Sequence, residues 1–205
     1  MPKTHRYAEF TTLPNTYTYS YKDPALDMLD LDRPIIAELG CGSGIYTREL
    51  ATIHPQYQYI GIDMKSDRLH FGAKYCAAHG ITNTKRLCAS VDHISSCFPE
   101  QSISEIWITF PDPRPTRDRQ KLTSPKYQAI YHALMKPVIH LKTDDKAFWD
   151  YSMKSLVDWI IRMYIEDIYK QTQKKLPEEL LIQTYYEAQR LTQRKIYYLQ
   201  VYKQD

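Results

Sequence analysis

Apolar and polar positions along the chain change period in a regular way. From Pro34 onward, short apolar runs alternate with stretches whose apolar residues recur at helical spacing. The runs predict strands at Ile35–Leu39, Tyr57–Ile62, Thr84–Cys88, Ile103–Phe110, Pro137–Thr143, Tyr164–Tyr169 and Lys195–Tyr202. The helical stretches between them are Ile45–Ile53, Ser66–Gly80, Pro125–Met135 and Ala147–Met163. Ser66 and Ser124 suit N-caps, Pro125 suits a first turn, and Gly80 suits a helix end. The helix from Ala147 is expected to bury Phe148, Tyr151, Leu156, Trp159, Ile160 and Met163. A polar stretch, Gln171–Pro177, breaks the alternation before the last strand.

Residues 1–33 are polar and Tyr-rich and contain Pro14 and Pro24, which predicts a partly irregular N-terminal arm with a short helix near Ala25–Asp30. Residues 34–205 then form one domain. Alternating strands and helices predict an α/β fold, a doubly wound, mostly parallel seven-stranded sheet with helices on both faces. In such a sheet ligands bind at the C-terminal ends of the strands, where strand order reverses.

The stretch Glu38-Leu39-Gly40-Cys41-Gly42-Ser43-Gly44 joins the first of these strands to the first helix. Alternate glycines let the backbone approach a ligand closely and adopt positive φ. The free N–H groups of a helix start point into the same space. The spacing is G-x-G-x-G, not the G-x-G-x-x-G of dinucleotide enzymes, and a carboxylate at Glu38 would repel a pyrophosphate. It suits a ligand carrying an ammonium or sulfonium group. Asp63, ending the next strand, suits the two hydroxyls of a ribose. An adenosyl ligand with a cationic tail and no diphosphate is S-adenosylmethionine.

A second constellation follows strand Ile103–Phe110. Pro111 and Pro113 bracket Asp112 and restrict its backbone. Then come Arg114, Arg117, Arg119, Lys121 and Lys126, with Asp118 as the acid among them, a footprint for phosphate. Lys142-Thr143-Asp144-Asp145 ends the fifth predicted strand, where Thr143 or Asp144 could cap a helix.

Composition narrows the setting without changing this picture. Of 205 residues, 43% are hydrophobic and 25% charged, the balance of an ordinary globular chain. No apolar run is long enough to cross a bilayer, and Met1–Tyr7 lacks the apolar core of a secretory signal. Cys41, Cys76, Cys88 and Cys97 form no C-x-x-C pair and do not interleave with histidines. Reduced thiols, no metal site and a cytoplasmic location are expected.

Together these segments resemble the bacterial tRNA (guanine-N7-)-methyltransferases, from about Pro34 to Tyr198. The family's E-[IL]-G-x-G-x-G turn corresponds to Glu38–Gly44, and its G-[IV]-[ED] strand end to Gly61-Ile62-Asp63. Its F-x-D-P-W loop corresponds to Phe110–Arg114, K-T-D to Lys142-Thr143-Asp144, and T-x-[YF]-E to Thr184-Tyr185-Tyr186-Glu187. The resemblance implies a Rossmann-like class I methyltransferase fold, with S-adenosylmethionine held by Glu38, Gly40, Gly42, Gly44, Asp63, Ser90 and Asp112. It implies Asp112 at the reacting centre, and Thr116, Arg117, Asp144, Thr184, Tyr185, Tyr186 and Glu187 toward the tRNA substrate. Three positions depart from the family pattern: Ser90 replaces an acid, Arg114 a tryptophan and Thr116 a lysine. The implied partner is tRNA, with the enzyme a monomer or homodimer. The other readings are a methyltransferase acting on a small molecule or exocyclic amine, and a catalytically inactive RNA-binding relative.

Overall fold

The computed structural model describes residues 3–134, 138–171, 176–189 and 194–203. The elements in chain order are α1 (Lys3–Phe10), β1 (Thr16–Thr18), β2 (Ile35–Leu39), α2 (Ile45–Ile53), β3 (Gln58–Asp63), α3 (Ser66–Ala78) and β4 (Thr84–Cys88). There follow β5 (Ile103–Thr109), α4 (Pro125–Leu134), β6 (Val138–Thr143), α5 (Lys146–Ser155), β7 (Ile160–Ile165), α6 (Tyr185–Ala188) and β8 (Tyr197–Tyr202). The eight strands form one sheet in the order β1-β4-β3-β2-β5-β6-β8-β7. All pairs are parallel except those made by β8, which runs antiparallel to β6 and β7.

Period-two alternation sorts the central strands onto two cores. Ile35, Ala37 and Leu39 of β2 pack with Tyr127 and Tyr131 of α4 and Phe148 and Trp149 of α5. Ile36 faces the other way, toward Tyr46 and Leu50 of α2, with Trp107 and Tyr198. Every residue of β2 and β3 is buried, as expected where both faces of a parallel sheet are covered. From β2 the chain winds outward through β3 and β4, then returns to the opposite side of β2 as β5. Strand order therefore reverses between β2 and β5, and the loops leaving these two strands share one crevice.

Three expectations need correction. The sheet has eight strands, not seven, because the N-terminal arm is largely ordered. β1 adds to the outer edge of β4, Phe10 is fully buried, and Glu9 bonds both His70 and Lys74 of α3. Within residues 25–30 the expected short helix is present as a 3-10 helix at Leu26–Met28. The helix expected over Ala147–Met163 ends at Ser155, and β7 occupies Ile160–Ile165. The Ile-Ile-Arg-Met-Tyr-Ile run favours extended backbone and finds a free edge on β8. Trp159 is buried and donates its indole N–H to Gln128 Oε1 at 2.9 Å, which fixes the chain between helix and strand. The strand expected over Tyr164–Tyr169 therefore lies earlier, and a 3-10 turn covers Ile168–Lys170. The expected helix end at Met135, the strand start at Pro137 and residues 172–175 of the polar stretch lie outside the described residues.

Candidate functional site

Gly40, Gly42 and Gly44 all have positive φ, at 71°, 60° and 66°. A Cβ on Gly40 or Gly42 would meet nothing within 4 Å, so these two face open space. Gly44 faces inward, where a Cβ would lie 2.9 Å from the guanidinium of Arg86. Arg86 is fully buried under the loop and donates to the Gly44 carbonyl at 3.3 Å. α3 presses against the same loop through Gly72, whose hypothetical Cβ would sit 2.0 Å from the Ser43 carbonyl oxygen. The glycine loop is thus pinned from below and open above.

Two carboxylates shape it. Asp63 Oδ2 accepts from the Gly42 N–H at 3.0 Å and Oδ1 accepts from the Lys65 N–H at 2.8 Å. This bond replaces the expected Ser66 cap at the start of α3; Lys65 is the capping position and makes no side-chain cap. Glu38 lines the floor of the cleft, yet is only 3% exposed. Its oxygens accept from the Thr47 N–H at 2.8 Å, the Thr47 hydroxyl and the Thr109 hydroxyl at 2.5 Å. Burial pushes its carboxyl above the ordinary range, while the two threonines and Arg86 oppose the shift. Glu38 acts first on the loop itself, tying β2 to α2 and β5.

Above the loop runs a cleft with two lobes. One, of about 440 Å³, is lined by Asp63, Met64, Ser90, Val91, Asp92, Pro111, Asp112, Arg114, Lys126 and Tyr127, among others. The other, of about 430 Å³, is lined by Glu38, Gly42, Ser43, Thr109, Thr184, Tyr185 and Tyr186 with their neighbours. Gly40, Arg68 and Phe110 belong to both lobes. A further cavity of about 350 Å³, between Trp107, His140 and Glu179, shares no lining residue with either.

The Pro111–Pro113 loop reaches the cleft by strained turns at both ends. Phe110 has φ 46° and Arg114 φ 44°, a region that non-glycine residues rarely enter. Asp112 is exposed; its Oδ1 accepts from the Arg114 N–H at 3.2 Å, and Oδ2 lies 3.4 Å from Arg114 Nε. The arginine in place of the family's tryptophan thus turns back onto the acid. Gln120 holds the other end of the same guanidinium at 2.5 Å.

The basic run is less uniform than its sequence suggests. Lys121 is buried, paired with Asp118 and set over the Tyr151 ring. Lys126 pairs with Asp92. Thr116, Arg117 and Arg119 are exposed beside the cleft but do not line it. Ser90 does line it, and its hydroxyl caps the 3-10 turn Val91–Ser96 by accepting from the Asp92 N–H at 3.3 Å. Asp92, held below its usual pKa by the hydrogen bond from Lys126, supplies a carboxylate two residues beyond the position where the family's acid is absent.

At the other lobe, Thr184 and Glu187 form a capping box at the start of α6. Glu187, expected toward substrate, is fully buried in this structure. It pairs with Lys142 Nζ at 2.9 Å and accepts from Tyr169 Oη at 2.6 Å. Lys142 also donates to the carbonyls of Leu180 and Ile182, at 3.1 and 2.8 Å. Asp144 has a side chain only 6% exposed, 3.2 Å from Arg194 and 3.3 Å from the Tyr186 hydroxyl. The cap of α5 is Asp145, accepting from the Phe148 N–H at 2.6 Å, and not Thr143 or Asp144. Tyr185 and Tyr186 present the exposed surface of this motif, at 71% and 41%.

The fold therefore gathers Glu38, Gly40, Gly42, Asp63, Ser90, Asp112, Thr184, Tyr185 and Tyr186 around one cleft, with Gly44, Asp144 and Glu187 supporting it from behind. Sequence reasoning missed Arg68, Asp92 and Arg86. Arg68 and Asp92 sit five and four residues after the ends of β3 and β4, a placement that could have marked them. Nothing local marks Arg86 as lying under the glycine loop. An open glycine cradle, an acid bonded into it and the apolar walls of Met64, Val91 and Leu122 fit S-adenosylmethionine.

This fold and site define a class I methyltransferase. Solved structures share it: the 16S rRNA methyltransferase KamB has a TM-score of 0.61 at 12% identity, covering 90% of this chain and 93% of that one. A 30S ribosomal A1408 methyltransferase from an uncultured bacterium has a TM-score of 0.57 at 17% identity, covering 85% and 90%. A family model described as "Putative methyltransferase" matches residues 32–199. The tRNA (guanine-N(7)-)-methyltransferase of Cytophaga hutchinsonii is 33% identical over 85% of this chain and 81% of its own length. That of Christiangramia forsetii is 38% identical over 80% and 75%. The chain belongs to the tRNA (guanine-N7-)-methyltransferase family.

Proposed function

We propose that this enzyme transfers a methyl group from S-adenosylmethionine to N7 of a guanine in the variable loop of tRNA, forming 7-methylguanosine. The observation that carries this reading is the two-lobed cleft. One lobe holds Asp63, Ser90 and, on its strained loop, Asp112; the other holds Gly42 and Ser43 of the glycine loop with Tyr185 and Tyr186; Gly40 and Phe110 join the two. Relatives named for this activity support it. The enzyme acts in the cytoplasm as a monomer or homodimer.

Guanine N7 carries a lone pair and no proton, so no general base is needed. The sulfonium of bound S-adenosylmethionine supplies an electrophilic methyl group. What remains for the chain is to hold both partners at attack distance and to stabilise positive charge as it develops on the purine. Asp63 takes the ribose hydroxyls through lone pairs not used by Gly42 and Lys65. Asp112 faces the purine. In the free enzyme Arg114 lies beside Asp112; a tRNA phosphate drawing Arg114 away leaves the carboxylate's charge uncompensated and open to guanine. Arg117 and Arg119 add phosphate contacts outside the cleft. A loop guanine leaves its stack at the least cost, which suits an enclosed site.

Labelled methyl transfer to unmodified tRNA, with mapping of the modified base, tests the reaction. Asp112→Asn tests the site. The single-turnover rate should fall about a hundredfold or more, the ~3 kcal/mol of a preorganised charge contact, with cofactor and tRNA affinities little changed. A methylated position other than guanine N7 would overturn the reading. A wild-type single-turnover rate would remove Asp112 from the reacting centre.

A further inference from the structure

At the outer rim of the first lobe, three aromatic rings that no sequence motif marks lie against one another. Tyr19 stacks on His93 with centroids 5.3 Å apart and planes 14° from parallel. Tyr21 meets both edge-on, at 5.9 Å from Tyr19 and 5.8 Å from His93. Tyr21 is 87% exposed, while Tyr19 and His93 are half-buried.

The backbone fixes this group at the ligand edge of the sheet. Tyr19 N–H donates to the Cys88 carbonyl at 3.1 Å, so it extends β1 past the C-terminal end of β4. Ser20 and Asp23 then close a tight turn by exchanging both backbone hydrogen bonds, at 2.8 and 3.1 Å, and this turn lifts Tyr21 outward. His93 sits in the turn Val91–Ser96, one residue beyond Asp92 of the cleft wall. Lys22 follows Tyr21 in sequence, and the neighbouring lobe carries Lys126 and Arg114, paired with Asp92 and Asp112.

A single exposed tyrosine is unremarkable. A stacked group of rings with one face open to solvent, beside a cleft that carries cations and must receive an extruded base, is the pattern of a single-stranded nucleic-acid platform. Extruding one base also costs its neighbour a stacking partner. We propose that the exposed face of Tyr21, backed by Tyr19 and His93, stacks on an unpaired tRNA base next to the target guanine. This rests on the tRNA reading above.

The test compares wild type, Tyr21→Ala, Tyr21→Phe and His93→Ala. Each is titrated with unmodified tRNA at several salt concentrations, and with S-adenosylmethionine alone. Tyr21→Ala should weaken tRNA binding about tenfold to a hundredfold, as loss of one base–aromatic stack does. The salt slope should stay the same, because no phosphate contact is lost. Tyr21→Phe, which keeps the ring, should bind as wild type, and His93→Ala should lose less than Tyr21→Ala. At saturating tRNA the single-turnover rate should be that of wild type. A fluorescent 2-aminopurine beside the target guanine should be quenched on binding wild type and not on binding Tyr21→Ala. Unchanged tRNA affinity in Tyr21→Ala would overturn the proposal, as would a loss confined to S-adenosylmethionine, which would make the rings a cover for the cofactor. The wild-type arm separates the two readings. If wild type methylates tRNA at guanine N7 while Tyr21→Ala binds normally, only the stacking platform fails. If wild type binds no tRNA, both fail.

Discussion

Glu38 stands at a strand end, where an acid ordinarily meets a ligand, yet its carboxylate is enclosed by Thr47 and Thr109. Because burial is the largest influence, the folded state holds its proton more tightly than the unfolded chain does. The native state then binds more protons above the unfolded pKa of 4.5, so this residue's contribution to stability falls as pH rises from there through the raised folded value. Glu38→Gln keeps an acceptor for Thr47 and cannot titrate. The stability of wild type minus that of Glu38→Gln should therefore decrease as pH rises above 4.5, read from urea unfolding at each pH. A difference independent of pH would mean that Glu38 is solvated as an ordinary carboxylate.

The turn bearing Thr184, Tyr185 and Tyr186 has little core of its own. It is held by Lys142, whose ammonium lies in a fully buried nest of Glu187 and two carbonyls, over the rings of Tyr46 and Phe110. Burial lowers the pKa of Lys142 and Glu187 opposes that shift. Removing one partner of such a pair strands a buried charge, at a cost of about 3–5 kcal/mol. Lys142→Met should lose stability on that scale in urea unfolding. Lys142→Met with Glu187→Gln should lose less, because no charge is left uncompensated. If the double variant is as unstable as the single one, the carbonyl contacts of Lys142 hold the turn, and the ion pair contributes little.

Across the molecule, the N-terminal arm couples the sheet edge to the site. α1 docks on α3 through Glu9 and Arg6, beside the buried Phe10, and α3 carries Gly72 against the glycine loop and Arg68 to the cleft. Asn15 adds a bond to the Ala73 carbonyl at 3.2 Å. Deleting residues 1–12 removes the buried Phe10, about 1.5–3 kcal/mol of apolar burial. For a chain of this size each kcal/mol moves Tm by about 2–4 °C, so a fall of about 3–12 °C is expected by calorimetry. An unchanged Tm would mean that the arm is an independent appendage.

The central layout was legible in the sequence because it is written locally. Period-two and period-3.6 patterns marked β2 to β6 and α2 to α4 within a residue or two, where those elements are described. The glycine spacing and the acids at Glu38, Asp63 and Asp112 followed from positions near strand ends, and the parallel topology brought those ends together. Other features depend on partners distant in sequence. The run Ile160–Ile165 continues the helical spacing of α5 yet is rich in strand-favouring residues, and the open edge of β8 gave the extended form its partners. β1 is a strand only because β4 offers it hydrogen bonds. An acidic residue in sequence does not reveal whether its carboxylate will stand exposed on the cleft, as Asp112 does, or be enclosed by a lysine from another strand, as Glu187 is. That depends on desolvation, which arises only when distant segments pack.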